Sequence, residues 1–157
     1  MADVPEDMKQ KERVEDPCFA PDEELYRRFP PDHFERDTVT IEAIELPDMS
    51  VNREKYGPPQ WVLVEIREND NFEGWGVLAF EVRNVPAEMP YRGTRIYTFG
   101  PKHEPERLNY PHSEIRAYEN GNHVDFENAV LLEPEIHQRW RQRLLWKCRP
   151  VIKPVLV

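Results

Sequence analysis

The most apolar stretch of the chain, WGVLAFEVRNV at residues 75–85, decides the fold class. Its apolar side chains fall on both faces of an extended chain, with Val77 and Ala79 on one face and Leu78 and Phe80 on the other. A strand that is apolar on both faces usually lies inside a sheet or is covered on both sides. We therefore expect a β-sheet to which this segment contributes a central or covered strand.

Alternation of apolar and polar residues predicts further strands on either side of this segment, at residues 38–46, 61–66, 93–99 and 113–118. The last of them is followed by Asn120 and Gly121, a pair that accepts positive φ at low cost and favours a tight turn. Residues 124–132 are then expected to return as the second strand of a hairpin.

Two helices are expected, one near each end of the chain. The shorter covers residues 21–28, where Pro21 and Asp22 give a start signal and two prolines at 30 and 31 give a stop. The longer covers residues 134–147, and its apolar side chains recur every fourth residue as one stripe: Ile136, Trp140 and Leu144.

Strands and helices in this order show no β-α-β alternation, which favours an α+β fold with a mainly antiparallel sheet of about six strands. The short N-terminal helix and the C-terminal amphipathic helix complete it. The 157 residues suit one domain. We expect residues 1–20 to form a disordered acidic head, because they hold few apolar groups, and residues 21–157 to form the domain, ending in a basic helix and an extended tail.

Charge is unevenly distributed along the chain, whose formal net charge is −9. Residues 1–24 are strongly acidic, whereas residues 137–157 contain six bases and no acid. The overall sign argues against non-specific binding of nucleic acid, because phosphates would be repelled over most of the surface. The basic end can instead contact another protein, through Arg139, Arg141 and Arg143, or simply be a solvated helix face.

The expected compartment is a reducing cytoplasm. No apolar run approaches the ~20 residues that a membrane helix needs, and the N-terminus lacks the apolar core of a secretory signal. Cys18 and Cys148 lie too far apart in sequence for a paired-cysteine zinc site and are too few for a disulfide framework. The sequence indicates no particular cofactor and contains no glycine-rich phosphate loop.

His112 and Glu114 are the candidate catalytic residues, since they are two apart in a predicted strand and point the same way. A histidine beside a carboxylate is what general acid–base chemistry needs. With His103 the same pair would offer three ligands to a metal ion, although the spacing matches no specific metal motif. The alternative is that all three anchor the long connection at residues 100–112.

Arg27, Arg28 and Arg53 are the candidate anion-binding residues, because an arginine fork can hold a phosphate through two hydrogen bonds. The order of arginine, then Ser50, then Glu114 resembles that of small ADP-ribosyltransferase-like domains that consume NAD, and this resemblance implies a nucleotide substrate. The alternative is local: within the predicted helix, Arg27 pairs with Glu23 and Arg28 pairs with Glu24, each four positions earlier.

A second resemblance covers roughly residues 25–118. Leu25-Tyr26-Arg27-Arg28, Ser50-Val51, Gly74-x-Gly76-Val77 and Asn109-Tyr110-Pro111-His112-Ser113-Glu114-Ile115 are similar to a pattern in small bacterial proteins of unknown function. It implies a bacterial source and no particular activity.

Three functions follow from these observations. The favoured one is a non-catalytic binding or assembly module of a bacterial multi-component system, because the chain shows no specific catalytic motif and its ends carry opposite charge. The second is a small enzyme acting on a nucleotide or an RNA phosphate, with Arg27 or Arg28 as anion clamp and His112 and Glu114 as acid and base. The third is a metal-dependent enzyme that uses the histidine and carboxylate group.

Overall fold

A computed structural model describes residues 3–125 and 131–156. Ten strands are found there: β1 (Glu24–Phe29), β2 (Phe34–Glu35), β3 (Thr38–Val39), β4 (Met49–Arg53), β5 (Gly76–Glu81), β6 (Glu88–Tyr91), β7 (Arg95–His103), β8 (His112–Glu119), β9 (Asn122–His123) and β10 (Arg149–Ile152). The α-helix α1 covers Pro134–Leu145. Short 3-10 helices cover Glu6–Met8, Pro31–His33, Ile41–Ala43, Glu54–Tyr56, Pro59–Leu63 and Val82–Asn84.

Eight of these strands form one sheet in the order β10-β5-β1-β4-β8-β7-β6, with β9 paired to β8, and β2 and β3 form a separate two-stranded ladder. Every pairing between the described strands is antiparallel. The fold is therefore α+β with a C-terminal helix, as the sequence predicts, and its sheet has eight strands rather than about six.

The apolar segment at residues 75–85 lies inside the sheet. β5 pairs with β1 on one side and with β10 on the other. Leu78 and Phe80 face the main core, Val77 and Ala79 belong to a smaller cluster on the opposite face, and all four side chains are completely buried. The chain forms a 3-10 turn at Val82–Asn84, so the observed strand ends at Glu81, before the predicted end at residue 85.

Helix α1 covers the main core with the stripe that the sequence predicts. Ile136, Trp140 and Leu144 are fully buried. The indole N–H of Trp140 donates to the carbonyl of Pro86 at 3.1 Å, and its ring lies 5.5 Å from that of Phe99. This hydrogen bond satisfies the polar end of a ring that is otherwise enclosed by apolar groups. No helix among residues 3–125 and 131–156 has the length and apolar character needed to cross a membrane.

The expected N-terminal helix over residues 21–28 is wrong, because this segment is the strand β1. Leu25 and Phe29, four residues apart, fit one stripe of a helix and equally one face of a strand. All six residues of β1 pair with β5, and both side chains are completely buried in the main core. The interactions with neighbouring strands override the local start and stop signals.

Other predicted strands are correct in part. Residues 93–99 and 113–118 lie mostly in β7 and β8, and the turn at Asn120 and Gly121 has positive φ at both positions. The expected strand at residues 61–66 begins as a 3-10 turn instead, since two prolines precede it, and the one at 38–46 keeps only Thr38–Val39. Of the expected return at 124–132, residues 126–130 lie outside the described residues.

Residues 3–20 differ from the expected disordered head, because they lie against the sheet. Met8 is completely buried, and its carbonyl accepts a hydrogen bond from the backbone N–H of Tyr110. Arg53 on β4 donates to the carbonyls of Asp16 and Cys18 at 2.7 and 2.6 Å. The composition of the segment did not reveal these partners, since each is supplied by a distant part of the chain.

Arg53 is also the centre of a buried ion pair. Its side chain is completely buried, and Nε and Nη2 donate to the two carboxylate oxygens of Glu23 at 2.9 Å each. The ring of Phe19 lies 3.8 Å below the guanidinium carbon. A two-pronged pair with every charge hydrogen-bonded is the arrangement in which burial of two ions is tolerated.

We predict that Arg53→Met lowers the free energy of unfolding by about 3–5 kcal/mol, because it leaves the carboxylate of Glu23 buried without its partner. The measurement is urea denaturation. As a control, Arg139→Ala removes an exposed pair with Glu135 and is expected to cost no more than about 0.5 kcal/mol. The double variant Arg53→Met/Glu23→Leu should recover part of the loss, and a single variant as stable as the control would contradict the prediction.

Candidate functional site

A cleft opens in the sheet where β1 and β4 separate. The two strands pair at two positions, Leu25 with Arg53 and Tyr26 with Asn52. Beyond them β1 continues along β5 as far as Phe29, while β4 follows β8. The strands therefore diverge, and the space between them and the segments around it has a volume of about 600 Å³. This volume lies within the range of about 300–1,000 Å³ typical of small-molecule sites.

Arg27 spans the gap between the two strands. Its Nε donates to the carbonyl of Ala43 at 2.7 Å, and its Nη1 donates to the carbonyl of Ser50 at 3.0 Å. The side chain thus replaces the ladder hydrogen bonds that β1 and β4 no longer exchange. Its guanidinium is held in one orientation at the wall of the cleft.

Arg28 lies on the other face of β1 and also lines the cleft. Its Nη1 donates to the carbonyl of Val62 at 3.0 Å, and its guanidinium carbon lies 4.0 Å from the centre of the Phe72 ring. Stacking on an aromatic face orients the guanidinium plane without neutralising its charge.

Neither arginine forms an ion pair within 4 Å in the part of the chain that the structure describes. Burial lowers the pKa of Arg27 to about 10, with the neighbouring charge of Arg28 adding to the effect, and burial also lowers the pKa of Arg28. Both side chains remain protonated at neutral pH. Two half-buried positive charges therefore face the cleft of a chain whose net charge is −9.

Four carboxylates also line the cleft: Glu42, Glu45, Asp70 and Glu106. Asp70 accepts hydrogen bonds from the backbone N–H groups of Ile66 and Arg67 at 2.9 and 2.8 Å. Glu106 pairs with the side chain of Arg67 at 3.0 Å. The charge of Asp70 opposes the effect of burial on the pKa of Arg28, and the charge of Glu45 does the same for Arg27.

Sequence reasoning placed His112 in a site, and the structure puts it in this cleft beside Ser50. Its Nδ1 lies 2.7 Å from the carbonyl oxygen of Glu104, and its Nε2 lies 3.3 Å from the Oγ of Ser50. No motif in the sequence indicates this contact, since the two residues are 62 positions apart. It depends on the register of β4 with β8, in which Asn52 is opposite His112.

Glu114 shares a face of β8 with His112, as the alternation predicts, but it does not line the cleft. Its carboxylate is paired with the Nε of Arg116 at 3.1 Å, and the same guanidinium also contacts Glu104. The carboxylate is thus engaged beside the cleft, and the structure does not bring it to the histidine as a partner.

His103 does not join the expected metal group. It is buried, its Nδ1 accepts from the backbone N–H of Asp16 at 2.9 Å, and its Nε2 lies 2.7 Å from the carbonyl oxygen of Tyr110. Both ring nitrogens are occupied, so no lone pair is left for a metal ion. Within the described ranges, no three histidine, cysteine, aspartate or glutamate side chains are grouped so that they could hold one.

The remaining basic candidates differ in their availability. Arg53 is not free for an anion, because Glu23 and two backbone carbonyls occupy its donors. Arg141 donates to the carbonyls of Ile44 and Ile41, and it thereby connects α1 to the 3-10 turn at Ile41–Ala43. Arg139 pairs with Glu135, whereas Arg143 is exposed.

The end of the cleft near Arg28 is apolar and was not anticipated from the sequence. It is formed by Val62, Val64, Ile66, Phe72, Trp75 and Leu108. The rings of Phe72 and Trp75 meet edge to face at 5.1 Å. The cleft therefore offers a charged end and an aromatic end to a single ligand.

No family model matches the chain, and neither a curated protein nor a solved structure matches it. A function must therefore be argued from the geometry and chemistry of the cleft itself.

We predict that the folded protein loses stability between about pH 7 and pH 5. Burial lowers the pKa of His103 and of His137, whose Nε2 accepts from the backbone N–H of Leu46 at 3.0 Å. Each is protonated more readily when unfolded, so its stabilising effect is complete above about pH 6.5 and is lost as the pH falls through the lowered pKa.

The measurement is the melting temperature as a function of pH. The double variant His103→Gln/His137→Gln removes both groups and should show a shallower decline over this range, although its melting temperature at pH 7.5 is lower. A decline as steep as that of the unmodified chain would contradict the assignment.

Proposed function

We propose that the cleft between β1 and β4 binds the phosphate group of a small organic phosphate of about the size of a nucleotide. The observation that carries this proposal is that Arg27 and Arg28 both face the cleft and have no carboxylate partner within 4 Å among the described residues. An arginine fork matches the geometry of phosphate oxygens.

The electrostatics support a ligand of negative charge. Burial lowers the pKa of both arginines, and the charge of Arg28 adds to the effect at Arg27, whereas the carboxylates of Glu45 and Asp70 act in the opposite direction at Arg27 and Arg28. A phosphate dianion adds negative charge that favours the protonated form of both arginines. The cleft is lined by four basic side chains (Arg27, Arg28, Arg67 and Arg107) and by four carboxylates (Glu42, Glu45, Asp70 and Glu106), so the balanced charge of its lining differs from the net charge of −9 of the whole chain.

The aromatic end supports the organic part of the ligand. The guanidinium of Arg28 lies on the ring of Phe72, and the ring of Trp75, 5.1 Å from that of Phe72, also lines the cleft. A flat apolar group such as a nucleobase stacks on such surface. The combination favours a nucleotide over inorganic phosphate.

The remaining expectations agree with this proposal without being required by it. A bacterial source and a cytoplasmic location stay proposals. A reducing compartment is supported by Cys18 and Cys148, which are both free thiols.

A second candidate function is docking onto another protein of a bacterial multi-component system. Trp146, directly after α1, is 85% exposed. Arg143 and Lys147 on either side of it are exposed bases. Tryptophan and arginine are the residue types most enriched among the residues that dominate binding at protein interfaces. The proposed docking surface is therefore the end of α1 rather than Arg139 or Arg141.

We predict that Trp146→Ala/Arg143→Ala lowers co-purification of the product of a neighbouring gene with the tagged chain and leaves ligand binding in the cleft unchanged. The reason is the loss of the exposed aromatic surface and of one charge, neither of which supports the core. Equal recovery of the partner with both chains would contradict the docking role.

We predict that Arg28→Gln weakens binding of AMP by about 10- to 100-fold, since a hydrogen bond to a charged group contributes about 1.5–3 kcal/mol. Arg28→Lys keeps the charge and should lose less. The measurement is isothermal titration calorimetry with AMP, with adenosine as the ligand that lacks phosphate.

Arg139→Gln, outside the cleft, is the matched control and should bind AMP as the unmodified chain does. Affinity for AMP that is the same in Arg28→Gln as in this control, or equal affinity for AMP and adenosine, would overturn the proposal. Arg28 is preferred to Arg27 for this test because Arg27 also spans the two strands.

A further inference from the structure

Ser50 and His112 form a polar pair at the charged end of the cleft, and we propose that Ser50 is the nucleophile and His112 the general base of a phosphoryl transfer. The Oγ of Ser50 lies 3.3 Å from Nε2 of His112. This inference rests on the proposed phosphate site, because it needs the anion to be held next to the serine.

The orientation of His112 follows from its other contact. A backbone carbonyl can only accept a hydrogen bond, so the 2.7 Å contact between Nδ1 and the carbonyl of Glu104 places the proton of neutral imidazole on Nδ1. The lone pair of Nε2 is then directed at the hydroxyl of Ser50. This is the tautomer that a base needs in order to accept the serine proton.

A carboxylate stands behind the imidazole. An oxygen of Glu106 lies 3.8 Å from the same Nδ1 of His112. When Nε2 takes a proton, the imidazolium that forms gains the attraction of this nearby negative charge. Glu106 therefore acts through the histidine as a positioning residue, whereas the sequence predicted Glu114 as the acid–base partner of His112.

The phosphate site and the serine are adjacent. Ser50 and His112 line the same cleft as Arg27 and Arg28, so an anion that the arginines hold lies in the same cavity as the hydroxyl of Ser50. The group that reacts is then the anion itself, which favours attack on phosphorus over attack on a remote ester carbonyl. The positive charges of Arg27 and Arg28 stabilise the charge that the transferring phosphoryl oxygens carry.

The step balances with water as the second reactant. Ser50 Oγ attacks phosphorus as its proton passes to Nε2 of His112, the bond from phosphorus to the ester oxygen breaks, and that proton is returned to the leaving oxygen. The products are phosphoserine and an alcohol. A water molecule then gives a proton to Nε2 of His112 and attacks the same phosphorus, the bond from phosphorus to Ser50 Oγ breaks, and His112 returns that proton to Oγ, which releases inorganic phosphate and restores Ser50.

The test uses the full chain and p-nitrophenyl phosphate, with release of nitrophenolate, the mass of acid-quenched protein and calorimetric binding measured in parallel. The unmodified chain is expected to release nitrophenolate and to show a mass increase of one phosphoryl group, mapped to Ser50. Ser50→Ala should bind the ester within about twofold and show neither product. His112→Ala should react at least about 100-fold more slowly and be partly rescued by added imidazole.

Arg139→Gln, outside the cleft, is the matched control and should react within about twofold of the unmodified chain. If the chain binds the ester but releases no nitrophenolate and gains no phosphoryl group, the inference is overturned while the phosphate site stands. If Ser50→Ala reacts like the unmodified chain, Ser50 is not the nucleophile. If neither the ester nor AMP binds, the phosphate site and the inference both fail.

Discussion

The buried ion pair between Arg53 and Glu23 joins β1 and β4 at the end where the two strands are paired. The same guanidinium holds the carbonyls of Asp16 and Cys18, so one side chain connects the N-terminal segment, the start of β1 and the end of β4. A charge that is completely buried has to satisfy its donors within the protein. Because all of these partners come from separate parts of the chain, the ion pair fixes where the strands meet and therefore where they must part.

The cleft is the consequence of that parting. β1 remains paired to β5 along its whole length and β4 remains paired to β8, so neither strand can close the gap without giving up hydrogen bonds on its other side. Arg27 bridges the opening with two hydrogen bonds to carbonyls that the sheet leaves free. A strand divergence of this kind places charged side chains of both signs at the wall of a concave site.

Part of this architecture could be predicted from the sequence, and the limits are physical. The stripe of Ile136, Trp140 and Leu144 predicted α1 because a helix of 12 residues leaves its period visible in the sequence. β1 was mistaken for a helix because six residues are too few to distinguish the two periods. β4 was missed since Asn52 and Arg53, which would be solvent-facing in most strands, are buried here by partners from elsewhere. Arg27, Arg28 and His112 were recognised as residue types that can form a site. Whether each lines a cleft or only supports the local structure depends on which strands are neighbours in the fold.

By itself the sequence determined the α+β class, the central place of residues 75–85, the amphipathic helix and the short set of residues able to carry chemistry. These are properties of periodicity and residue type, which act over a few neighbouring positions. Only the tertiary structure decided that Arg53 serves the fold, that Arg27 and Arg28 face a common cleft, and that His112 meets Ser50 rather than Glu114. Each of those outcomes depends on strand register between residues about 26 to 66 positions apart, and register is set by the simultaneous burial of many side chains.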